Sequence, residues 1–412
     1  MMSQPADLLL RHLRLASPDG VQSVDLAVTA GRWSHVGAPG SYAGAAAATY
    51  DAGGALALPG LIDVHTHFRE PGGEHKGTYA SESRAAAAGG VTTVLTMPNT
   101  KPFTNSRATL DRVRELARDS LIDVGFQFMA DGTNLAEMEA VAGTVPAFKL
   151  YLDRTTGIDS PLADPERLGA LLATGLPFVA HAEGDTLDSL LNLHRRYGTG
   201  WLHIGHVALA REVEALRAAR AAGQDVSGEA SPHHLFLDED DARRLGALGD
   251  MRPTLKSAAD VAGLWAGLAD GTLEAIATDH APHLLAEKQG DPPPPGVPGL
   301  QTMLPLLLDA VAAGRLDLPA LVRLTSAWPA QRFRLADKGA VRVGSHADLV
   351  LVDPNARVTI TNEEQLTKPG WTPFAGRQVR GRVLRTLRRG AWVYADGQTV
   401  GAGGGEEVRV AP

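Results

Sequence analysis

Two histidines and an arginine with alternating spacing are the residues of this chain most suited to chemistry. They end the stretch LPGLIDVHTHFREP at 58–71, which opens with a Pro-Gly turn and continues as an apolar strand-like segment. Because side chains alternate along a strand, His65 and His67 project from one face, with Arg69 next on that face. Two imidazoles on one side of a buried strand can hold a borderline-soft metal such as zinc. The planar fork of an arginine is suited to a carboxylate.

Further polar residues stand at or near the C-terminal ends of other apolar strand candidates. They are Asn99 after the second, Lys149 in the fourth, His181 in the fifth, His206 in the sixth and Asp279 in the eighth. Four neutral imidazoles, one carboxylate and one lysine are enough ligands for a pair of metal sites. A single H-x-H pair is also found among ordinary surface and core histidines. The clustering at strand ends is therefore what predicts an active site.

Lys149 is the unusual member of this set, because it lies between Phe148 and Leu150, where a bare ammonium is costly to bury. In one interpretation its side chain reaches the rim or pairs with a carboxylate. In the other it is carbamylated by carbon dioxide and becomes an anionic bridge. Two metals ~3.5–4 Å apart with a bridging hydroxide supply a nucleophile and polarise a carbonyl. Asp279 would then move the proton from the attacking water to the leaving nitrogen.

Other titratable residues near these positions admit both a functional and a structural interpretation. His283, in the segment ATDHAPH, either contacts substrate or has a structural role. His233 and His234 end the seventh strand candidate, where capping or packing is the favoured interpretation. Asp63 and Glu229 are candidates to orient a metal-binding side chain.

Strand and helix signals alternate over the middle of the chain. The eight strand candidates are 61–68, 92–98, 122–130, 147–152, 177–183, 201–207, 226–235 and 274–280, with Ala/Leu/Arg-rich helical stretches between them. This alternation predicts an α/β fold, a (β/α)8 TIM barrel, whose active site lies at the C-terminal ends of the strands. A doubly wound sheet is the alternative, but no G-x-G-x-x-G turn supports it.

The two ends of the chain read as short strands separated by turn glycines. We expect residues 1–57 and 341–412 to form one small β-sandwich domain. Residues 58–340 would form the metal-dependent catalytic barrel. A proline-rich loop at 284–300 follows the eighth strand candidate.

Composition excludes several classes of function. The 412 residues carry a formal net charge of −8, whereas proteins that bind nucleic acid present a basic face. No apolar run approaches the ~20 residues of a membrane span, and the N-terminal stretch lacks the features of a signal peptide, so we expect a cytoplasmic protein. Because the chain has no cysteine, any metal must be held by histidine, carboxylate or a modified side chain.

Longer motifs around these residues resemble the amidohydrolase superfamily and, within it, the dihydroorotases. The marks of the superfamily are GLIDVHTH, HAE at 181–183 and ATDHAPH at 277–283. More specific to dihydroorotases are HTHFREPGG (65–73), TMPNTKP (96–102), FKLYLD (148–153), HIGHVA (203–208), EASPHHLFL (229–237) and PGLQTMLPLLL (298–308). The stretches 226–310 and 368–381 are similar to the dihydroorotase domain of the animal multifunctional pyrimidine protein.

The resemblance implies a role for each residue. One zinc ion would be bound by His65, His67 and Asp279 and the other by His181 and His206, with N6-carboxylated Lys149 as the bridge and Asp279 as general acid/base. The positions that match substrate contacts are Arg69 and Asn99 for the carboxylate, with His283 helping, then Arg252, and the backbone of Pro298 and Gly299 near the pyrimidine ring.

Two positions depart from the animal proteins. Thr155-Thr156-Gly157 stands where they have Thr-Phe, so a lid that uses Thr155 or Thr156 is expected by similarity to another dihydroorotase group. Gly205 replaces a cysteine, which argues against an extra metal at that place.

The activity that the resemblance implies is a zinc-dependent dihydroorotase. Such an enzyme reversibly hydrolyses (S)-dihydroorotate to N-carbamoyl-L-aspartate, the cyclic-amide step of de novo pyrimidine (UMP) biosynthesis. The nearest alternative is a hydantoinase, dihydropyrimidinase or allantoinase, and Arg69 discriminates because uncharged hydantoin and uracil rings lack a carboxylate. An inactive scaffold for aspartate carbamoyltransferase would lack the ligands that this chain has. We further expect a homodimer, and leave open an association with that transferase.

Overall fold

The computed structural model describes residues 5–158 and 162–411. Residues 1–4 and 412, which the predicted small domain includes, lie outside the described residues. Within the described part of the chain, no helix combines the length and the apolar content needed to cross a membrane.

The two ends of the chain meet in one hydrogen-bonded sheet of nine strands. Its strands are β1 Ala6–Ser17, β2 Gly20–Thr29, β3 Arg32–Gly37, β4 Ala46–Asp51, β5 Leu56–Pro59, β15 Leu349–Thr359, β16 Gln378–Arg388, β17 Ala391–Ala395 and β18 Gln398–Thr399. The order is β18-β17-β16-β15-β5-β1-β2-β3, and β4 also pairs with β1. Strand β5 crosses the predicted domain boundary between residues 57 and 58. The sandwich packing and the domain boundaries stay predictions.

All strands in the middle of the chain pair in parallel. They are β6 Leu61–Thr66, β7 Val91–Thr96, β8 Asp123–Phe126, β9 Phe128–Met129, β10 Phe148–Tyr151, β11 Phe178–His181, β12 Leu202–Ile204, β13 Val226–Ala230 and β14 Ala275–Ile276. Every residue of these strands is buried, as expected for parallel strands covered on both faces. They form one sheet of the order β6-β7-β8 and another of the order β14-β13-β12-β11-β10-β9.

Hydrogen bonds connect these two parallel sheets at both edges. Gln127 alone separates β8, which pairs with β7, from β9, which pairs with β10. At the other edges, Thr66 at the end of β6 forms a parallel bridge with His280, which follows β14. The amide of His67 donates to the carbonyl of His280 over 2.8 Å.

The helices lie between the strands as the alternating pattern predicts. They are α1 Tyr79–Ala88, α2 Arg107–Leu116, α3 Leu135–Val141, α4 Pro165–Leu172, α5 Asp185–Tyr197, α6 Ala210–Ala221, α7 Pro232–Phe236, α8 Glu239–Leu245, α9 Ala258–Ala269, α10 Leu285–Lys288, α11 Met303–Ala312, α12 Leu318–Val322 and α13 Trp328–Arg332. Local chemistry sets their starts. Ser106 and Thr109 form a capping box before α2, and the Asp164 side chain accepts two amide hydrogen bonds before α4.

One predicted strand is shorter than expected and is followed by a helix. The seventh candidate, 226–235, ends as a strand at Ala230, and His233 and His234 lie in α7. Pro232 explains the change, because proline has no amide hydrogen to give to a sheet and is favoured at the first position of a helix. The interpretation that these histidines end a strand was therefore wrong.

Candidate active site

A pocket lies where the C-terminal ends of the parallel strands meet. It has a volume of ≈ 20 Å³ and is lined by His65, His67, Arg69, Asn99, Tyr151, Thr155, Thr156, His181, His206, Arg252, Asp279, Ala281, Pro295 and Gly296. Ten of these residues were predicted from the sequence. A cavity of this size holds about one water molecule, so the loops around it are closed.

Three of the predicted metal ligands converge on one point. One ligand atom each from His65, His67 and Asp279 lies within 4.8 Å of the others, and all three residues are buried. The Asp279 Oδ1 atom is 3.1 Å from Nε2 of His67 and 3.5 Å from Nε2 of His65. Two imidazole nitrogens and a carboxylate oxygen at this spacing are a donor set typical of zinc sites.

Hydrogen bonds select which nitrogen of each histidine is free. Nδ1 of His65 lies 2.5 Å from Oε1 of Glu229, and Nδ1 of His67 lies 2.7 Å from Oδ1 of Asn99. Both partners are acceptors, so each Nδ1 carries the hydrogen and each Nε2 presents a lone pair toward Asp279. The prediction that Glu229 orients a ligand agrees with this contact. Asn99 also contacts a predicted metal-binding residue, His67, and the sequence did not suggest this role.

Burial and neighbouring charges set the ionisation of these groups. Burial lowers the pKa of His67 to about 4, so its imidazole is neutral, the form that binds metals. Burial opposes ionisation of Asp279, but the neighbouring His65 and His67 outweigh it and hold the pKa of this carboxyl well below its usual value. At neutral pH the cluster therefore presents a neutral imidazole at His67 and an anionic carboxylate at Asp279.

The remaining predicted ligands lie next to this cluster. The ring centres of His181 and His206 are 4.5 Å apart, and those of His65 and His206 are 5.0 Å apart. Lys149 is fully buried behind the lining, and among the described residues neither its Nζ atom nor Nδ1 of His206 has a hydrogen-bond partner. Burial lowers the pKa of Lys149 to about 8. Buried polar atoms without partners indicate that this half of the site is built for a group that supplies them.

A second group of possible metal ligands lies outside the pocket and contains a lysine. Asp123, His346 and Asp348 are close enough to share a cation. However, Nζ of Lys338 lies 2.5 Å from a carboxylate oxygen of each aspartate, so a cation already occupies the centre. Asp123 begins β8, at the N-terminal end of the strands and away from the pocket. This cluster is therefore not the partner of the histidine site.

Arg69 lies in the same pocket as the histidine cluster. Its Nε donates to the carbonyl of Pro282 over 3.1 Å, and its Nη2 is 3.0 Å from Nε2 of His283. Burial lowers its pKa to about 10, so the guanidinium remains charged at neutral pH. His283, which the sequence predicted as a substrate contact, is buried outside the pocket lining. It contacts Arg69 and Lys76.

The backbone is strained at three residues of the site. Arg69, His206 and Asp279 have φ values of 70°, 38° and 46°, in the left-handed region that non-glycine residues rarely adopt. Strain of this kind costs of order 1–3 kcal/mol per residue and is found where function requires an unusual side-chain direction.

Two loops close the pocket. Residues 155–158 form a tight turn in which Thr155 pairs with Ile158. The Thr156 hydroxyl donates to the carbonyl of Pro295 over 2.8 Å, and Asn99 Nδ2 donates to the Thr156 carbonyl over 3.1 Å. Both predicted lid residues line the pocket, and Thr156 contacts the proline-rich loop.

The structure also places residues that the sequence did not single out. Pro295 and Gly296 line the pocket, whereas the predicted Pro298 and Gly299 lie outside its lining, with the Gly299 amide donating to Nδ1 of His280. Tyr151 also lines the pocket, and alternation from Lys149 along the same strand could have identified it. No periodicity marks Pro295, because its loop is irregular.

Comparison with known proteins identifies the family. The Amidohydrolase family matches residues 56–393. The chain is 40% identical over 363 residues to the Multifunctional protein CAD of Squalus acanthias, covering 87% of this chain and 16% of that protein. It is 37% identical over 387 residues to a Dihydroorotase of Halobacterium salinarum, covering 85% of this chain and 89% of that one. The chain thus spans a small part of the multifunctional relative and most of the shorter one.

Solved structures share the fold. An L-hydantoinase (dihydropyrimidinase) from Arthrobacter aurescens superposes with a TM-score of 0.93 at 26% identity, over 98% of this chain and 100% of that chain. A dihydropyrimidinase from Brevibacillus agri gives a TM-score of 0.87 at 27% identity, over 98% and 99% of the two chains. The chain therefore belongs to the Amidohydrolase family, and its sequence groups it with the dihydroorotases of that family.

Proposed function

We propose that the protein is a dihydroorotase, which reversibly hydrolyses (S)-dihydroorotate to N-carbamoyl-L-aspartate in pyrimidine biosynthesis. The observation that carries the proposal is the half-buried Arg69 guanidinium in one pocket with His65, His67 and Asp279. Dihydroorotate combines a cyclic amide with a ring carboxylate, and this pocket offers a hydrolytic cluster beside a fixed cation. Relatives named dihydroorotase, 37% and 34% identical to the chain, support the same substrate.

The donor set fits a pair of zinc ions. His65, His67 and Asp279 would hold one ion, and His181 and His206 the other, with Lys149 as the bridge in its carboxylated form. The unpartnered Lys149 Nζ supports this fit, because carboxylation turns a buried amine without a partner into an anionic ligand. The bound ions would supply an activated water molecule and polarise the amide carbonyl.

The protein's own residues would fix the substrate and move one proton. In the hydrolysis, a water oxygen bonds to the ring carbonyl carbon, the carbon–nitrogen bond of the ring breaks, and the nitrogen gains a proton. Asp279 lines the pocket as an anion and can accept the proton of the attacking water and pass it to that nitrogen. Arg69 would fix the ring carboxylate, with Arg252 on the opposite wall.

A hydantoinase or dihydropyrimidinase is the second candidate, and the TM-score of 0.93 to an L-hydantoinase favours it. A backbone superposition reports the scaffold, which is shared by enzymes with different substrates. The sequence identity is higher to the dihydroorotases, at 37% against 26%. The charged pocket wall at Arg69 also favours the carboxylate-bearing ring.

A substrate panel distinguishes the two candidates. Zinc-loaded protein is assayed with dihydroorotate, hydantoin, dihydrouracil and allantoin, with Lys149→Ala as the control. We expect turnover of dihydroorotate alone, lost in the Lys149→Ala variant. Turnover of an uncharged ring without turnover of dihydroorotate would overturn the proposal. Bound zinc without any turnover would also contradict it, and absence of both would favour a scaffold.

We also propose that the parallel strands form a closed barrel. The connections at Gln127 and between Thr66 and His280 support closure of the two parallel sheets into one eight-stranded (β/α)8 barrel, in which β8 and β9 count as one strand. The homodimer, an association with aspartate carbamoyltransferase and the cytoplasmic location stay predictions.

A further inference from the structure

Lys288 is a buried cation that the proposed reaction does not use. It ends α10 and is 0% exposed. Among the described residues, no carboxylate forms an ion pair with it. Its Nζ atom instead donates to three backbone carbonyls, those of Asp250 at 2.9 Å, Pro294 at 2.9 Å and Gly296 at 3.2 Å. An ammonium has three hydrogens, so these three carbonyls use all of its donors.

The surroundings of Lys288 make its burial costly. Burial lowers its pKa to about 8, and the Asp250 carboxylate acts in the opposite direction. The ring of Trp371 lies 6.0 Å from Nζ and offers a weak cation–π contact. A buried cation without a counter-ion is unfavourable unless its hydrogen bonds are needed. The three carbonyls therefore indicate what Lys288 stabilises.

Those carbonyls lie in two segments that form one side of the pocket. Pro294 and Gly296 belong to the proline-rich segment 291–297, which supplies Pro295 and Gly296 to the lining. Asp250 carries Arg252, since the Arg252 guanidinium pairs with its carboxylate. The segments also touch directly, because the Gly296 amide donates to the Asp250 carbonyl over 2.9 Å.

The proline-rich segment cannot stabilise itself with backbone hydrogen bonds. Residues 292–295 are four consecutive prolines, which have no amide hydrogen to donate. Their carbonyls still accept hydrogen bonds, and side chains supply the donors for two of them, Pro294 and Pro295. Lys288 does so from one side, and the Thr156 hydroxyl does so from the other through Pro295. Gly296, with φ of 130°, fits only as glycine, because an added Cβ would lie 2.7 Å from the Ala281 carbonyl oxygen.

We infer that Lys288 is a positioning residue, which fixes the proline-rich segment and the Asp250–Arg252 turn as one wall of the substrate pocket. The two donors hold the segment from different positions. Thr156 lines the pocket on the turn at 155–158, whereas Lys288 is buried outside the lining. The role in substrate binding rests on the proposed function, but the role in holding the segment does not.

The test compares Lys288→Met, which removes every donor at nearly unchanged length, with Lys288→Arg, which keeps charge and donors. We expect Lys288→Met to raise the KM for dihydroorotate by about tenfold or more, with kcat within about threefold and zinc content unchanged. Amide exchange in the peptide 289–300 should be faster by about tenfold. Lys288→Arg should restore much of both properties. Lys256→Met, at a partly exposed lysine whose Nζ atom donates to the Thr254 hydroxyl, is the matched control and should behave as wild type.

Each outcome decides the inference. Wild-type KM and wild-type exchange in Lys288→Met would overturn it, as would a loss of zinc with unchanged exchange. If Lys288→Met does not fold, Lys288→Gln replaces it in the test. This variant keeps two N–H donors and should show a smaller rise in the amide exchange rate and in KM. Wild-type values of both in Lys288→Gln would also overturn the inference. If the wild-type protein does not hydrolyse dihydroorotate, the proposed function fails, and the exchange rate alone still tests the role of Lys288.

Discussion

Hydrogen-bond partners outside the pocket determine which ring nitrogen of a metal-site histidine is free to bind a metal. Glu229 accepts from Nδ1 of His65 and is 3.0 Å from Nε2 of His203, whose Nδ1 is 2.8 Å from Oγ of Ser227. The His206 amide also donates to Glu229. One buried carboxylate thus fixes His65 and the backbone of His206, on opposite sides of the site.

We predict that Glu229→Gln weakens zinc binding about 10–100-fold, because a glutamine does not enforce the hydrogen on Nδ1 of His65. A zinc titration against a competing chelator measures this change. Asp188→Asn, on the exposed face of α5, is the control and should bind zinc as the wild type does. Wild-type zinc affinity in Glu229→Gln would show that Glu229 does not orient the ligand.

Strand periodicity grouped residues that the structure also brings together. Alternation predicted His65, His67 and Arg69 on one face, and all three line the pocket although β6 ends at Thr66. The predicted strand ends grouped His206 and Asp279 with them, and both also line the pocket. The contact of Asn99 with His67 could not be predicted, because it depends on the distance between two strand ends. The positions of Pro295 and Gly296 depend on an irregular loop, for which spacing in sequence carries no geometric information.

Elements divide the site into a floor at the ends of the parallel strands and walls formed by loops. The strands and the residues that closely follow them carry the predicted metal ligands, and loops carry most of the remaining lining. The floor is set by strand pairing, whereas the turn at 155–158 is held to the proline-rich loop by the Thr156 hydroxyl. The closed pocket of ≈ 20 Å³ is too small for dihydroorotate, so we predict that the turn at 155–158 moves during turnover.

Thr156→Val keeps the shape of the side chain and removes this hydrogen bond. One hydrogen bond contributes about 1 kcal/mol, so we expect the KM for dihydroorotate to rise about three- to tenfold with little change in kcat. Steady-state kinetics measure both. Thr155→Val is the matched control, because Thr155 bonds to Ile158 through backbone atoms, which the substitution keeps. Equal kinetics for the two variants would contradict a lid held by the Thr156 hydroxyl.

Element types followed from the sequence more closely than element ends. The strand predicted at 201–207 spans Leu202–Ile204, and the helix predicted at 207–223 spans Ala210–Ala221. Residues beyond a strand end remain apolar or functional, so hydropathy does not mark where pairing stops. Only the proline after Ser231 marks the end of the seventh strand.

At the scale of the whole molecule, a buried charge network joins the parallel strands to the nine-stranded sheet. Asp123 of β8 contacts Lys338 at 2.5 Å, Arg389 at 2.6 Å and Arg388 at 3.4 Å, and Lys338 also contacts Asp348. The C-terminal segment lies across it, since the Glu406 amide donates to Asp123 over 2.9 Å. Burial raises the pKa of Asp123, but the three cations outweigh burial and hold it well below its usual value.

We predict that Asp123→Asn lowers the free energy of unfolding by about 3–5 kcal/mol, because it leaves buried cations without their partner. Urea unfolding at pH 7 measures the change. Asp111→Asn, at an exposed ion pair on α2, should stay within about 0.5 kcal/mol of wild type. If the free energy of unfolding changed as little in Asp123→Asn as in Asp111→Asn, the network would not be important for stability.

The same network predicts a pH dependence. The folded pKa of Asp123 is lowered, so its contribution to stability is complete above the unfolded pKa of about 3.9 and is lost as pH falls toward the folded pKa. Thermal unfolding between pH 6 and pH 3 should therefore show a smaller acid-induced loss in Asp123→Asn than in wild type. Parallel pH profiles would contradict this contribution.

The joining of the chain ends followed from their strand patterns, but the network between the sheets did not. Asp123, Lys338 and Arg389 are far apart in sequence, and no local pattern marks them as partners. Their meeting depends on how the nine-stranded sheet packs against β8, which hydropathy does not specify.

The central claim is that Arg69 recognises the carboxylate of a cyclic amide substrate. The most direct measurement compares kcat/KM for dihydroorotate, together with the zinc content, in wild type and Arg69→Met. Loss of charge-assisted hydrogen bonds should lower kcat/KM about 10²-fold with the zinc content unchanged. Full dihydroorotate activity in Arg69→Met, or a loss of activity that is accompanied by loss of zinc, would contradict the claim.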